Sequence, residues 1–154
     1  MHISPQAREG NPDMNFFEVR RTILAPPERI WAILTDAQRL VEARLGVMRI
    51  DGHIENGGRI KLWSEAAPER AFPLKITVWE PNRRMVWEGG MPFGLFRGVR
   101  RFELASLKGG TNFHMREDYS GPMLGIIWKS MPDLAPSFAT FADGLKSLSE
   151  STAQ

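Results

Sequence analysis

"ILAPPERIWAILTD" (residues 23–36) sets two adjacent prolines between an alternating apolar run and a helical one. The residue before a proline avoids helical angles, so Pro26 is expected to stay extended while Pro27 takes the first helical position. Glu28 then falls in the first turn, where a carboxylate suits the positive end of a helix. Ile30, Ile33 and Leu34 repeat at helical spacing and mark the buried face. The joint therefore reads as a strand turning sharply into a helix. Upstream, "FFEVRRTIL" (16–24) supplies the strand, with Phe17, Val19 and Ile23 on one side. Downstream, "TDAQ" (35–38) has Thr followed three residues later by Gln, a capping-box pattern that starts a second short helix.

From Gly46 to Tyr119 the texture is that of strands. "GVMRIDGHIE", "RIKLWSEA", "AFPLKITVWE" and "RRMVWEGG" are separated by turn residues such as "NGG" and "PN". In the third of these, Phe72, Leu74, Ile76 and Val78 share a face, and alternation turns Trp79 outward. "FRGVRRFELAS" and "TNFHMREDYS" flank "LKGG", a hairpin signal. If Leu104 lies opposite Phe113, then Phe102 meets Met115, Arg100 meets Glu117 and Gly98 meets Tyr119. A slip of one residue would reverse every side chain, so the matching apolar pairs favour this register. Six strands thus follow the helix pair, seven in all and mostly antiparallel. At the end, Leu134, Phe138, Phe141, Leu145 and Leu148 recur at spacings of 4, 3, 4 and 3, one apolar stripe on a helix beginning near Pro136 or Ser137.

The order strand, two short helices, six strands and a long helix is that of the helix-grip fold, and particular residues carry the likeness. "APPERIWAILTD" resembles the opening signature of the START/birch-pollen-allergen superfamily, also called SRPBCC. "FADGLKSLSE" resembles its closing signature, and "PNRRMVWEG" and "KGGTNFHMREDYSGP" resemble its middle strands and last hairpin. The likeness runs from about Phe16 to Glu150 and is nearest to the bacterial polyketide cyclase/dehydrase-like branch. It implies an α+β fold: a curved seven-stranded antiparallel sheet around a long C-terminal helix, in the order β-α-α-β6-α, with a cavity between sheet and helix. Members bind lipids, sterols, hormones or polyketide-like molecules. Others cyclise or dehydrate polyketides, and one branch stimulates a chaperone ATPase. Fold does not choose among these roles.

The 154 residues fit one domain, expected over 16–150, with a loose tail at 1–15 and a short one at 151–154. Hydrophobic residues at 42% and charged ones at 25% make the composition globular. The absence of cysteine excludes disulfides, thiolate metal sites and a cysteine nucleophile. The stretch "YSGPMLGIIW" falls well short of the roughly 20 apolar residues that span a membrane. The N-terminal residues lack the pattern of a secretory signal, so a cytoplasmic location is expected, with Met1 and Met14 both candidate starts. A net charge of +2 gives no nucleic-acid signature, and the basic knot "RGVRRF" (97–102) reads as a solvated strand face.

Chemistry-bearing patterns are few. His2, His53 and His114 have no metal-ligand spacing, and His114 falls on the outward side of its strand. No phosphate-cradling glycine loop appears, so no metal or nucleotide cofactor is expected, and "GGMPFG" reads as a strand connection that in the family can gate the cavity. Charged residues on inward faces stand out instead. Arg100 and Glu117 share the side that carries Phe102, Leu104, Phe113 and Met115, and Arg21 shares a side with Val19 and Ile23. An inward charge is costly unless paired, so Arg100 and Glu117 are expected to pair. With Tyr119 they would orient an otherwise apolar ligand, and Glu117, Arg100 and Tyr119 are the candidates for catalysis, Glu117 for acid/base work.

The cavity wall is expected from Leu74, Ile76, Trp87 and Phe96 on the sheet and from Trp128, Phe138 and Phe141 nearer the C-terminus. "PMLGIIWKSM" (122–131) is placed to line or cover it, with methionines giving a compliant surface. The first function expected is binding of a small apolar or amphipathic molecule. The alternatives are a cyclase or dehydratase using Arg100, Glu117 and Tyr119, and an interaction protein of the chaperone-activator kind. A homodimer is left open.

Overall fold

The computed structural model describes residues 6–7 and 15–151. The chain runs β1 (Gln6–Ala7), β2 (Asn15–Ile23), α1 (Pro27–Leu34), α2 (Ala37–Glu42), β3 (Val47–Asp51), β4 (Arg59–Ser64), β5 (Ala67–Glu80), β6 (Arg84–Gly90), a 3-10 turn (Pro92–Gly94), β7 (Arg97–Leu107), β8 (Gly110–Ser120), α3 (Leu124–Ser130) and α4 (Ala135–Glu150). The sheet order is β1-β2-β8-β7-β6-β5-β4-β3, antiparallel throughout. Seven strands form the expected curled sheet, and the two-residue β1 extends its edge by pairing with Asn15 and Phe16. Apart from these pairs, the tail expected at 1–15 lies outside the described residues, as do residues 152–154. No helix among the described residues is long and apolar enough to cross a membrane.

The proline joint is built as its residues dictate. Pro26 is extended (φ −72°, ψ 154°) and Pro27 opens α1, whose Ile30, Trp31, Ile33 and Leu34 are buried. The cap of α2 departs from expectation by one residue. Asp36, not Thr35, is the N-cap, its carboxylate accepting from the Arg39 N–H at 3.1 Å. The Thr35 hydroxyl instead donates back to the Trp31 carbonyl, closing α1. A carboxylate is the stronger partner for a helix start, so it takes the position.

The β7–β8 hairpin adopts the register that its apolar pairs demand: Leu104 opposite Phe113, Phe102 opposite Met115, Arg100 opposite Glu117 and Gly98 opposite Tyr119. On β5 the alternation breaks. A bulge between Ile76 and Val78 shifts the pairing, so that Ile76 faces Trp87 while Trp79 faces Met85. One extra residue reverses the parity of the residues beyond it. Trp79, expected outward, therefore turns inward and meets Trp31 edge-on at 5.1 Å. This contact joins the far end of the sheet to α1.

The helix α4 lies along the concave face with Phe138, Phe141, Ala142 and Leu145 buried against the sheet. Its Phe138 meets Phe17 of β2 at 5.8 Å and its Phe141 meets Phe102 of β7 at 6.0 Å. The apolar segment before it contains α3, a helix that periodicity left unassigned because seven residues give barely two turns. Its Trp128 packs at 5.4 Å from Phe17 and 5.7 Å from Tyr119. The Met123 N–H bonds the Leu95 carbonyl, so α3 and the β6–β7 connection sit together at one end of the sheet.

Candidate functional site

Strand pairing aligns the inward side chains in rows across the sheet. One row runs Ile76, Trp87, Arg100, Glu117 and Phe17, from β5 to β2. The neighbouring row toward α3 holds Gly89, Gly98 and Tyr119 on β6, β7 and β8. Glycine inside a strand weakens it and marks a close approach. At Gly98 the reason is visible: an added Cβ would lie 2.7 Å from Glu117 Oε2 and 3.5 Å from the Tyr119 ring. The missing side chain makes room for the carboxylate.

Into that room three polar side chains converge. Arg100 Nε donates to Glu117 Oε1 at 2.8 Å, and its Nη2 reaches the same oxygen at 2.7 Å. The guanidinium carbon stands 4.8 Å over the Phe138 ring of α4, and the Tyr119 hydroxyl interacts with both charges. Of the Arg100 and Glu117 side chains, 24% and 16% remain exposed. The Phe138 ring of α4 lies over Arg100, so the pair sits in a recess between the sheet and that helix that stays open to solvent over this remaining part.

The electrostatics follow from this enclosure. Burial opposes the Arg100 charge, but the adjoining Glu117 carboxylate and Tyr119 outweigh it and hold the guanidinium above its ordinary pKa. For Tyr119 burial is the main cause, and the Glu117 charge adds to it against the opposing pull of Arg100. The phenol is pushed far above its usual range. It stays protonated at every physiological pH and acts as a hydrogen-bond donor.

The other inward residues divide between packed core and the rim of the recess. Ile76, Trp87, Phe102, Phe113, Met115, Phe138 and Phe141 are buried in the continuous core, whereas Leu74, Phe96 and Trp128 are partly buried at its border. Phe96 stacks on Tyr119 at 6.0 Å, with rings 18° apart. Arg21 is not part of this cluster: its Nε donates to Asp143 Oδ1 of α4 at 2.7 Å, a clamp between sheet and helix. The predicted register sets Gly98 opposite Tyr119 without marking it as part of the site. No sequence signal identifies Asp143, since strand parity says nothing about which helix residue lies above.

Elsewhere the candidates find ordinary partners. His114 faces outward as expected, its Nε2 2.9 Å from Glu18 Oε1 and its Nδ1 3.5 Å from Glu103. In the basic knot, Arg97, Arg100 and Arg101 pair with Glu88, Glu117 and Asp118. Among the described residues no group of three or more His, Asp or Glu side chains is placed to hold a metal ion. Two surface hollows lie apart from the recess. One, of about 980 Å³, is an open groove between α2, β3 and the turn after it, and a smaller one borders Pro26, Pro27 and Leu107.

Known structures share the fold. A protein from Mesorhizobium loti superposes with a TM-score of 0.70 at 21% identity, covering 91% of this chain and 100% of its own. A hypothetical protein from Helicobacter pylori gives 0.74 at 15% identity, covering 97% and 99%. The Zhui aromatase/cyclase from Streptomyces gives 0.70 at 12% identity, covering 89% and 94%. At such identities the likeness establishes the fold alone. No curated protein sequence matches the chain. Residues 14–150 match the family model described as polyketide cyclase/dehydrase and lipid transport, and by that match over most of its length the chain belongs to this family.

Proposed function

We propose that the protein binds a small amphipathic molecule, its acidic or enolic head at Arg100 and Tyr119 and its apolar body between the sheet and α4. The observation that carries this reading is the Arg100–Glu117–Tyr119 cluster, held between the sheet and α4 with a glycine opposite Tyr119 giving it room. A strongly basic guanidinium and a phenol kept protonated both turn toward the Glu117 carboxylate, and the same two donors suit an anionic or hydrogen-bond-accepting head. Glu117 holds Arg100 in place until the head arrives and shares it afterwards.

Native mass spectrometry of gently purified protein, followed by solvent extraction, tests the proposal. A one-to-one adduct with an acidic or enolic head, lost in Arg100→Gln/Glu117→Gln, supports it. An adduct retained in that double variant places the ligand elsewhere. Pairing the two substitutions avoids leaving one charge stranded.

A second reading has one observation in its favour. The converging donors of Arg100 and Tyr119 also suit the developing charge of an enolate, as a cyclisation or dehydration would need. Under that reading Tyr119→Phe keeps ligand mass but lowers turnover of a polyketide-like substrate by about 100-fold. Equal loss of binding and turnover returns the cluster to a binding role.

A further inference from the structure

Trp87 sits beside Arg100 in the inward row, and 2% of it is exposed. Its indole Nε1 is sealed from solvent and has no hydrogen-bond partner; among the described residues only Ser149 Oγ shares that condition, in the last turn of α4. Buried donors are almost always satisfied, so an exception calls for an explanation. A hydroxyl can rotate toward a partner, but an indole N–H is a donor fixed in the plane of its ring. The ring is in turn held against Phe102, centroids 4.7 Å apart and planes at 58°.

The position of this orphan is informative. Gly89 and Gly98, two residues along the same strand faces, leave no side chain directly beside Trp87 and Arg100 on the α3 side. An added Cβ at Gly98 would meet the Glu117 carboxylate at 2.7 Å, whereas at Gly89 it would meet both the Leu74 methyl at 2.7 Å and the Pro73 carbonyl oxygen at 2.8 Å. At Gly98 the neighbour is the movable end of a side chain, so the space beside Arg100 can widen, while at Gly89 the backbone fixes one side of it. Met85 and Met115, fully buried on the next row, are the compliant wall that can give way.

We infer that the Trp87 indole N–H is a second ligand donor, so that the site selects a rigid, apolar acid bearing an acceptor oxygen, such as a ring carbonyl, on its body. The inference rests on the proposed binding of an acidic head at Arg100. Arg100 and Tyr119 fix the head, and Trp87, one strand away, reads the body. A hydrocarbon acid of equal size leaves the N–H unsatisfied and binds more weakly.

The test uses the full chain and two matched probes, anthraquinone-2-carboxylate and anthracene-2-carboxylate, which differ only in the ring carbonyls. Titration calorimetry is expected to show the quinone bound about ten-fold more tightly, the worth of one buried hydrogen bond. Trp87→Phe is expected to abolish that preference while leaving the hydrocarbon acid unchanged. In nitrogen-15 spectra, one of the five indole N–H signals moves downfield with the quinone only. Assigned by its through-space contacts with the Phe102 ring, 4.7 Å away, that signal reports on Trp87 in the wild-type protein and decides the matter if Trp87→Phe does not fold. Equal affinity for the two acids, or a preference that survives Trp87→Phe, overturns the inference and leaves the binding proposal standing. Failure of both acids to bind overturns both.

Discussion

Two arginines point inward from the sheet, and their surroundings differ in one respect. Arg21 near the α1 end has 20% of its side chain exposed and Arg100 near the α3 end has 24%, so burial of the cation does not separate them. Their partners do. Asp143 lies on α4 with 60% of its side chain exposed, whereas Glu117 lies on the sheet beneath that helix with 16%. Arg21 reaches up to the edge of the helix and staples it to β2, where Lys146 also bonds the Thr22 carbonyl and Glu150 accepts from the Leu24 N–H. Arg100 stays below the helix, and its pair is enclosed. The first arrangement holds the fold together from outside. The second keeps a charge pair in the interior, where a well-packed apolar pair would serve stability as well.

The largest test of that contrast is to strand Arg100. Glu117→Ala is expected to cost about 3 kcal/mol in denaturant unfolding, since an uncompensated interior charge is the expensive state. Replacing both members, as in Arg100→Met/Glu117→Leu, is expected to recover all but about 1 kcal/mol while abolishing capture of an acidic ligand. A cost for Glu117→Ala no greater than that for Asp143→Ala would erase the difference between the two pairs. The next effect comes from the space rather than the charge. Gly98→Ala sets a methyl 2.7 Å from Glu117 Oε2. The Oε2 end of the carboxylate must turn aside while Oε1 holds Arg100, with an expected loss of about 1 kcal/mol. If Gly98→Ala unfolds like the wild type, the recess has room to spare and the role given to the glycine fails.

How much of the molecule is legible in its sequence varies along the chain for physical reasons. Hairpin register is legible because a slip would bury polar residues and expose Phe113 and Met115, so the pairing of Arg100 with Glu117 comes from neighbours alone. The proline joint is legible because Pro26 and Pro27 have few backbone choices. Trp79 is misplaced by alternation because a bulge is a local insertion in one strand relative to another, and the pattern within β5 does not record it. Asp143 is invisible as a partner because the crossing of α4 over β2 depends on packing across the whole concave face. The unsatisfied Trp87 N–H depends on the setting of one ring against Phe102, which no periodicity encodes.

Tyr119 gives a test intermediate in size, and it reports only on the enclosed cluster because it is the single tyrosine of the chain. Its pKa in the folded protein lies above the unfolded value, so the native state retains a proton that the unfolded chain gives up. Below the unfolded pKa of about 10 the linked stability is fully present, and above it stability falls by about 1.4 kcal/mol per pH unit. Phenolate absorbance is therefore expected to appear only as the protein unfolds, in step with loss of secondary structure. Tyr119→Phe is expected to remove that share of the alkaline loss. A phenol that ionises near pH 10 in the folded state would place Tyr119 in contact with bulk water and open the recess.

The smallest effect belongs to the outer clamp, and its sensitivity to salt is the clearer signature. With Asp143 mostly exposed, Asp143→Asn is expected to cost less than about 1 kcal/mol, and that cost should shrink further as salt is raised. The Glu117→Ala cost, set by a charge whose partner is mostly buried, is expected to change little over the same salt range, because partly buried pairs are screened less. If the two costs instead fall together, solvent reaches Arg100 as freely as it reaches Arg21. In that case α4 closes over nothing, and the interior pair is a second staple like the first.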